Sequence, residues 1–378
     1  ALLLMGELEY LLGNYEGAKE VLEKAMASAA DDLQTQVMAQ VKLLFVYYQT
    51  NQFTKSRDLL KGMEAGIVLP LWDWMKTFDE TPYQVEWHGA QQAVIPFEIA
   101  APLPVIPVEI QGVPIYAFID TGGDAFILDN GIAETLGIEA ATTFMGTFAG
   151  GLQAEIGFAR ADSLKLGDVT ITNVPINILP TERFSEGFAE GQYTIGGIVG
   201  TGVLRQFLPT IDYLNGRLVL RPRSEEGLMA LQGDLEDKTI TEVPFVLAAA
   251  HMMMAQGRLN DKEDLTFFVD SGLATEAALS VPIQTLHYAG IPVPETAIPK
   301  DNNIGGGGGK DFATGNFPIE KLGLGPLVHE DVSGIYGILT PESYWQNDFI
   351  QDGLISHQFL RHYAWTIDFS EMTMILAQ

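Results

Sequence analysis

A chain of 378 residues is long enough for two or three domains, and its 47% hydrophobic content, with 39 glycines and 19 prolines, suits a globular protein rich in strands and turns. A net charge of −28 and an isoelectric point of about 4.4 argue against nucleic acid as a partner and against an anionic membrane surface. Cysteine is absent, which excludes disulfides, thiol nucleophiles and thiolate metal sites, and no apolar run reaches the roughly 18 residues of a membrane helix.

Residues 1–64 read as helices. Gly13-Asn14-Tyr15-Glu16-Gly17-Ala18 precedes Leu22 and Ala25, and 38 positions after Tyr15 comes Phe53, with Leu60 standing where Leu22 stood. Small residues at helix crossings, an aromatic at the turn and a period in the thirties resemble tetratricopeptide repeats, which implies a possible protein partner on this segment. A plain helical hairpin packed on the next domain is the alternative. Ala1 opens inside a helical pattern, so a native start and a signal peptide are expected to be missing. That leaves the compartment open, with a periplasmic or secreted place slightly favoured. Residues 65–92 carry Trp72, Trp74 and Trp87 without a clear period and read as a packed connector, because so much aromatic area is costly to leave in water.

From about residue 93 the pattern changes to short strands. Val105 to Ile110 leads through Gln111-Gly112, a turn signal, into the apolar run Val113 to Ile119, which ends at Asp120-Thr121-Gly122. Asn130 to Leu136 reads as a short helix closed by Gly137. Strands around Ala159–Leu166 and Val169–Ile178 precede Gly197-Ile198-Val199-Gly200, and Asn215-Gly216 joins two further strands as a hairpin. The charged stretch 221–240 reads as a boundary.

The order then returns. Phe268-Val269-Asp270-Ser271-Gly272 repeats the acidic loop 150 positions on, while Lys321-Leu322-Gly323, Gly353-Leu354-Ile355, Leu360-Arg361 and Ile367-Asp368 repeat earlier landmarks at a displacement of 156. One Asp-Thr-Gly is weak evidence, since it also suits an ordinary turn after a strand. A set of landmarks in one order at nearly one displacement reads as an internal duplication. Two carboxylates at the ends of buried strands, brought face to face, form a pair that shares one proton and activates a water for attack on an amide.

With these residues the chain resembles retropepsin-like and pepsin-like aspartic peptidases of the bacterial type, over roughly residues 93–378. The resemblance implies a mainly β fold: two retropepsin-like closed β lobes in one chain, residues 93–223 and 224–378, with the cleft between them. It makes Asp120 and Asp270 the catalytic pair, Thr121 and Ser271 the hydroxyls bracing the two loops, and Gly122 and Gly272 the residues that allow the turn. Phe148, Gly150 and Gly151 in the first lobe, and Gly306 and Gly307 in the second, fall where flaps would cover a peptide substrate. No cofactor or metal is implied. Three departures stand out: Gly123 and Leu273 replace a small Ala or Ser, Ser356 replaces a glycine, and neither flap has a tyrosine, although Phe144 and Phe148 could cover the site. The competing reading is a protein of this fold that binds peptides without cutting them.

Overall fold

The computed structural model describes residues 1–29, 32–61, 68–148, 153–181, 184–185, 193–298, 313–346 and 349–378. It is mainly β, with two closed β lobes preceded by helices.

The opening segment forms helices α1 (Leu2–Leu11), α2 (Tyr15–Ser28), α3 (Leu33–Gln49) and α4 (Phe53–Leu60), followed by α5 (Val68–Met75). Asn14 and Asp32 start α2 and α3 by accepting the backbone N–H of Gly17 and Thr35, which satisfies donors that no earlier turn can bond. The turns before α2 and α4 both use a left-handed residue, Gly13 and Asn51. Gly6 lets α1 approach α2 closely, because a Cβ there would lie 2.6 Å from Leu22. Trp74 of α5 is 2% exposed, packs against Phe53 and Phe78, and donates its indole N–H to the Ala159 carbonyl at 2.8 Å. The helices are therefore seated directly on the first lobe.

Among the described residues, six strands close each lobe, in the same order. In the first lobe the hairpin Val105–Ile110 and Val113–Ile119 turns through Gln111 and Gly112, both at positive φ, as a two-residue turn between right-twisted strands requires. Val113–Ile119 pairs in parallel with Ile195–Val199, which pairs with Phe126–Asp129, which pairs in turn with Val169–Leu179. Gln153–Leu166 closes the ring. The second lobe repeats this with Met252–Leu259, Lys262–Val269, Gly353–Ile355, Leu279–Val281, Leu327–Tyr336 and Gly315–Leu324. Each lobe also carries a short helix, Asn130–Leu136 or Ile283–Ala289, ended by a left-handed glycine, Gly137 or Gly290.

Beneath the lobes runs a shared sheet. Leu208–Asp212 of the first lobe pairs with Ala364–Asp368 of the second, and the hydroxyls of Thr210 and Thr366 meet at 2.6 Å. The Asn215-Gly216 hairpin is present, with a loop of four residues from Tyr213 to Gly216. The buried Asp212 carboxylate sets that length, because it accepts from the backbone N–H of Asn215 at 3.1 Å and from Arg217 Nε at 2.9 Å.

Candidate active site

Each acidic loop leaves a buried strand whose neighbour holds it. The Asp120 N–H donates to the Val199 carbonyl at 3.0 Å and the Asp270 N–H to Ile355 at 2.9 Å. Side chains then cross between lobes. The Thr121 hydroxyl accepts the Ser271 N–H at 3.0 Å and donates to the Val269 carbonyl at 2.9 Å. Ser271 Oγ accepts the Thr121 N–H at 3.0 Å and donates to the Ile119 carbonyl at 3.3 Å. Both hydroxyl residues are fully buried, so every group in this reciprocal set depends on the other loop. Thr201 adds a hydroxyl bond to the Thr121 carbonyl at 3.1 Å.

This grip brings the two half-buried carboxyls into hydrogen-bonding reach of each other. Each also accepts the N–H of the glycine two residues on: Gly122 to Asp120 Oδ1 at 2.7 Å and Gly272 to Asp270 Oδ1 at 2.9 Å. Burial pushes both carboxyls above the ordinary carboxylate range, Asp270 well above it, where the adjacent charge of Asp120 adds to the effect. The glycine N–H bonds favour ionisation and oppose this shift. Two carboxyls this close cannot both ionise cheaply, so the pair as a unit retains a proton that a lone aspartate would lose. His251 of the second lobe is close enough to feel both Asp120 and Asp124. Burial nevertheless lowers its basicity, so the imidazole beside the pair favours its neutral form.

The structure assigns a different reason for the two glycines than turn formation. Neither Gly122 nor Gly272 has a positive φ. A Cβ on Gly122 would lie 2.6 Å from Asp270 Oδ1, and one on Gly272 would overlap the Asp120 carboxyl. Glycine is needed because the opposite lobe's acid occupies the space. The departures noted in the sequence are accommodated locally. Leu273 is 5% exposed and packs with Phe268 and Leu354. Ser356 caps the short helix His357–Leu360 by accepting the Gln358 N–H at 3.1 Å, and its hydroxyl donates to the Ala277 carbonyl. At Gly200 the same substitution would not fit, because a Cβ there would meet the Ala125 and Asp124 carbonyls.

Of the expected flap residues, Phe148 is half-buried and follows the strand Thr142–Thr147, whereas Gly150, Gly151, Gly306 and Gly307 lie outside the described residues. Phe144 packs edge-on against Phe158, which itself meets Trp74 of α5. Sequence reasoning missed Asp124, which accepts a hydrogen bond from Tyr48 of α3 at 2.8 Å. Its place four positions after Asp120 was a signal; Tyr48 offered none.

The grip predicts a stability effect. Thr121→Val leaves the Ser271 N–H and the Val269 carbonyl buried without partners, at roughly 2–4 kcal/mol for the two groups together. Thr121→Ser keeps both bonds and should cost far less. Denaturant midpoints of the two variants compare them directly, and equal midpoints would remove the energetic role of the grip.

Residues 106–203 match a family model described as aspartyl protease. The matched stretch takes in the first acidic loop and Gly197-Ile198-Val199-Gly200, and it ends before the second lobe. No curated protein matches the chain. Among solved structures, a retropepsin-like aspartic protease from Rickettsia conorii is similar at 10% identity with a TM-score of 0.26, covering 37% of this chain and 93% of that one.

Proposed function

We propose that this chain is an aspartic endopeptidase in which Asp120 and Asp270 act together on a water. One ionised carboxylate takes a proton from the water as it attacks the scissile carbonyl carbon, and the other, protonated, hydrogen-bonds the carbonyl oxygen and stabilises the charge that develops there. The observation that carries this reading is the reciprocal Thr121–Ser271 bonding, which leaves two acids from two lobes within reach of one hydrogen bond. The aspartyl-protease match over residues 106–203 supports it independently.

The same reading divides the chain into tetratricopeptide-like repeats over residues 1–64, a packed connector over 65–92 and duplicated lobes over 93–223 and 224–378. The equivalent strand order in the two lobes favours the duplication. The 38-residue spacing of two left-handed helix turns, Gly13 and Asn51, favours the repeats. A second reading, a peptide-binding protein without turnover, draws on one observation: Leu4 and Leu8 of α1, Leu12 just after it and Leu33 of α3 stand exposed, as a surface for a protein partner would. Cleavage of an unstructured protein at acid pH, lost in Asp120→Asn, separates the two readings.

The pH dependence follows from the carboxyl shifts. Turnover should be bell-shaped, because below both apparent values no base remains and above both no acid remains. Both carboxyls are raised, so the alkaline limb should lie above the value of about 4 of an ordinary aspartate. Stability carries the opposite sign to the usual carboxylate. A group raised on folding contributes stability that is present in acid and lost as pH rises through its folded value. Asp270→Asn should therefore raise the melting temperature relative to the parent at neutral pH, with the gain shrinking in acid. A gain that grew on acidification would contradict a proton-sharing pair.

A further inference from the structure

The end of α3 touches both lobes beside the acidic loops. Tyr48, 9% exposed, donates its hydroxyl to Asp124 Oδ2 at 2.8 Å, in the segment that follows the first acidic loop. Its carbonyl accepts from the buried Arg205 at 3.3 Å, and the Arg205 guanidinium lies 5.2 Å from the centre of its ring. The next residue, Gln49, is 7% exposed and donates from Nε2 to the Ala250 carbonyl at 2.7 Å, in the turn of the second lobe that leads through His251 into the strand Met252–Leu259. That strand is hairpin partner to Lys262–Val269, which delivers Asp270.

Successive residues on a helix diverge by about 100°, so Tyr48 and Gln49 are directed to different sides from one rigid origin. One reaches the first lobe and the other the second. The grip and the shared sheet already join the lobes, and Tyr213 on His357 and Arg223 on Ser370 add further bonds between them. A third element bonded to both lobes further opposes rocking of one against the other. The α3 end supplies such a contact, and neighbouring packing keeps it stiff: Tyr48 stacks on Phe53, and Ala250 is buried in the same cluster as Tyr48, Phe53 and Trp74.

We infer that the end of α3 is a positioning strap for the acid pair. Tyr48 and Gln49 together hold the segment behind Asp120 and the turn ahead of the Asp270 hairpin, and so set the orientation in which the two carboxyls meet. The helical segment is then a working part of the site rather than a separable docking module. The catalytic part of this inference rests on the reading of Asp120 and Asp270 given above; the mechanical part does not.

The test uses the full chain with Tyr48→Phe, Gln49→Leu and the double variant. Tyr48→Phe keeps the ring on Phe53 and Arg205 while removing the hydroxyl. Asn51→Gly is the control, because the Asn51 side chain bonds Gln206 of the first lobe, at 2.9 Å, and its left-handed backbone suits glycine. Amide exchange read by mass spectrometry, without substrate, should rise about tenfold in both segments 119–125 and 249–254 of the double variant and in neither segment of the control. With an unstructured protein as substrate, the double variant should lose about tenfold in kcat with KM changed by less than about twofold, because orientation of the pair is disturbed while both carboxyls are kept. Unchanged exchange in the two segments, or equal effects from Asn51→Gly, would overturn the strap. Exchange settles this even where the parent cleaves nothing. Turnover that survives Asp120→Asn would instead count against the catalytic reading and leave the exchange result standing.

Discussion

Asp120→Asn and Asp270→Asn should each reduce turnover of an unstructured protein by about 10²–10⁴-fold, the range expected when an acid–base group is removed. Each substitution leaves a side chain of nearly the same size, still able to accept the N–H of its glycine, so the fold should survive and the loss should fall on kcat. The double substitution should cost little more than either single one, as for any groups that act as a unit. Mixing the two single variants checks the architecture. The Thr121–Ser271 bonds join loops 150 positions apart in one chain, so no mixture restores a complete pair without exchange of lobes. Substantial recovery on mixing would mean that the working site forms between chains.

The glycines should show the next largest effect, in a pattern that separates crowding from turn formation. Gly272→Ala places a methyl group on the Asp120 carboxyl, and Gly122→Ala places one 2.6 Å from Asp270 Oδ1. Since neither position needs a left-handed backbone, the fold can absorb the change by moving the opposite acid. The carboxyls are then displaced from each other, and misplacement by about 1 Å is enough to cost roughly 10²-fold in rate. Gly123→Ala is the matched control. Its methyl would meet the Asp120 carbonyl at 3.8 Å, an ordinary contact, and activity should change little. Melting temperatures taken alongside rates complete the comparison. Equal losses at positions 122, 123 and 272 would show that loop flexibility, rather than the neighbouring acid, is what these glycines protect.

Local patterns in the sequence reach far into this molecule. An apolar run before Asp120 and before Asp270, Gln111-Gly112 between two apolar runs, and Asn130 to Leu136 closed by Gly137 each follow from backbone preferences within a few residues, and each appears as an element of the structure. Landmarks recur in the sequence at 150 and 156 positions, and the two lobes share one strand order. The loop hydroxyls Thr121 and Ser271 were legible because a small donor-acceptor at that place has little else to bond. Other features were decided only in three dimensions. The need for glycine at 122 and 272 depends on an acid 148 positions away for Gly122 and 152 for Gly272, and no local signal reports a neighbour at that distance. The same holds for Tyr48 on Asp124 and Gln49 on Ala250, contacts made across 76 and 201 positions. Helical periodicity marks Tyr48 and Gln49 as positions near a helix end. Packing of the N-terminal helices against two lobes determines that these two side chains reach Asp124 and Ala250, because that direction depends on where whole elements come to rest.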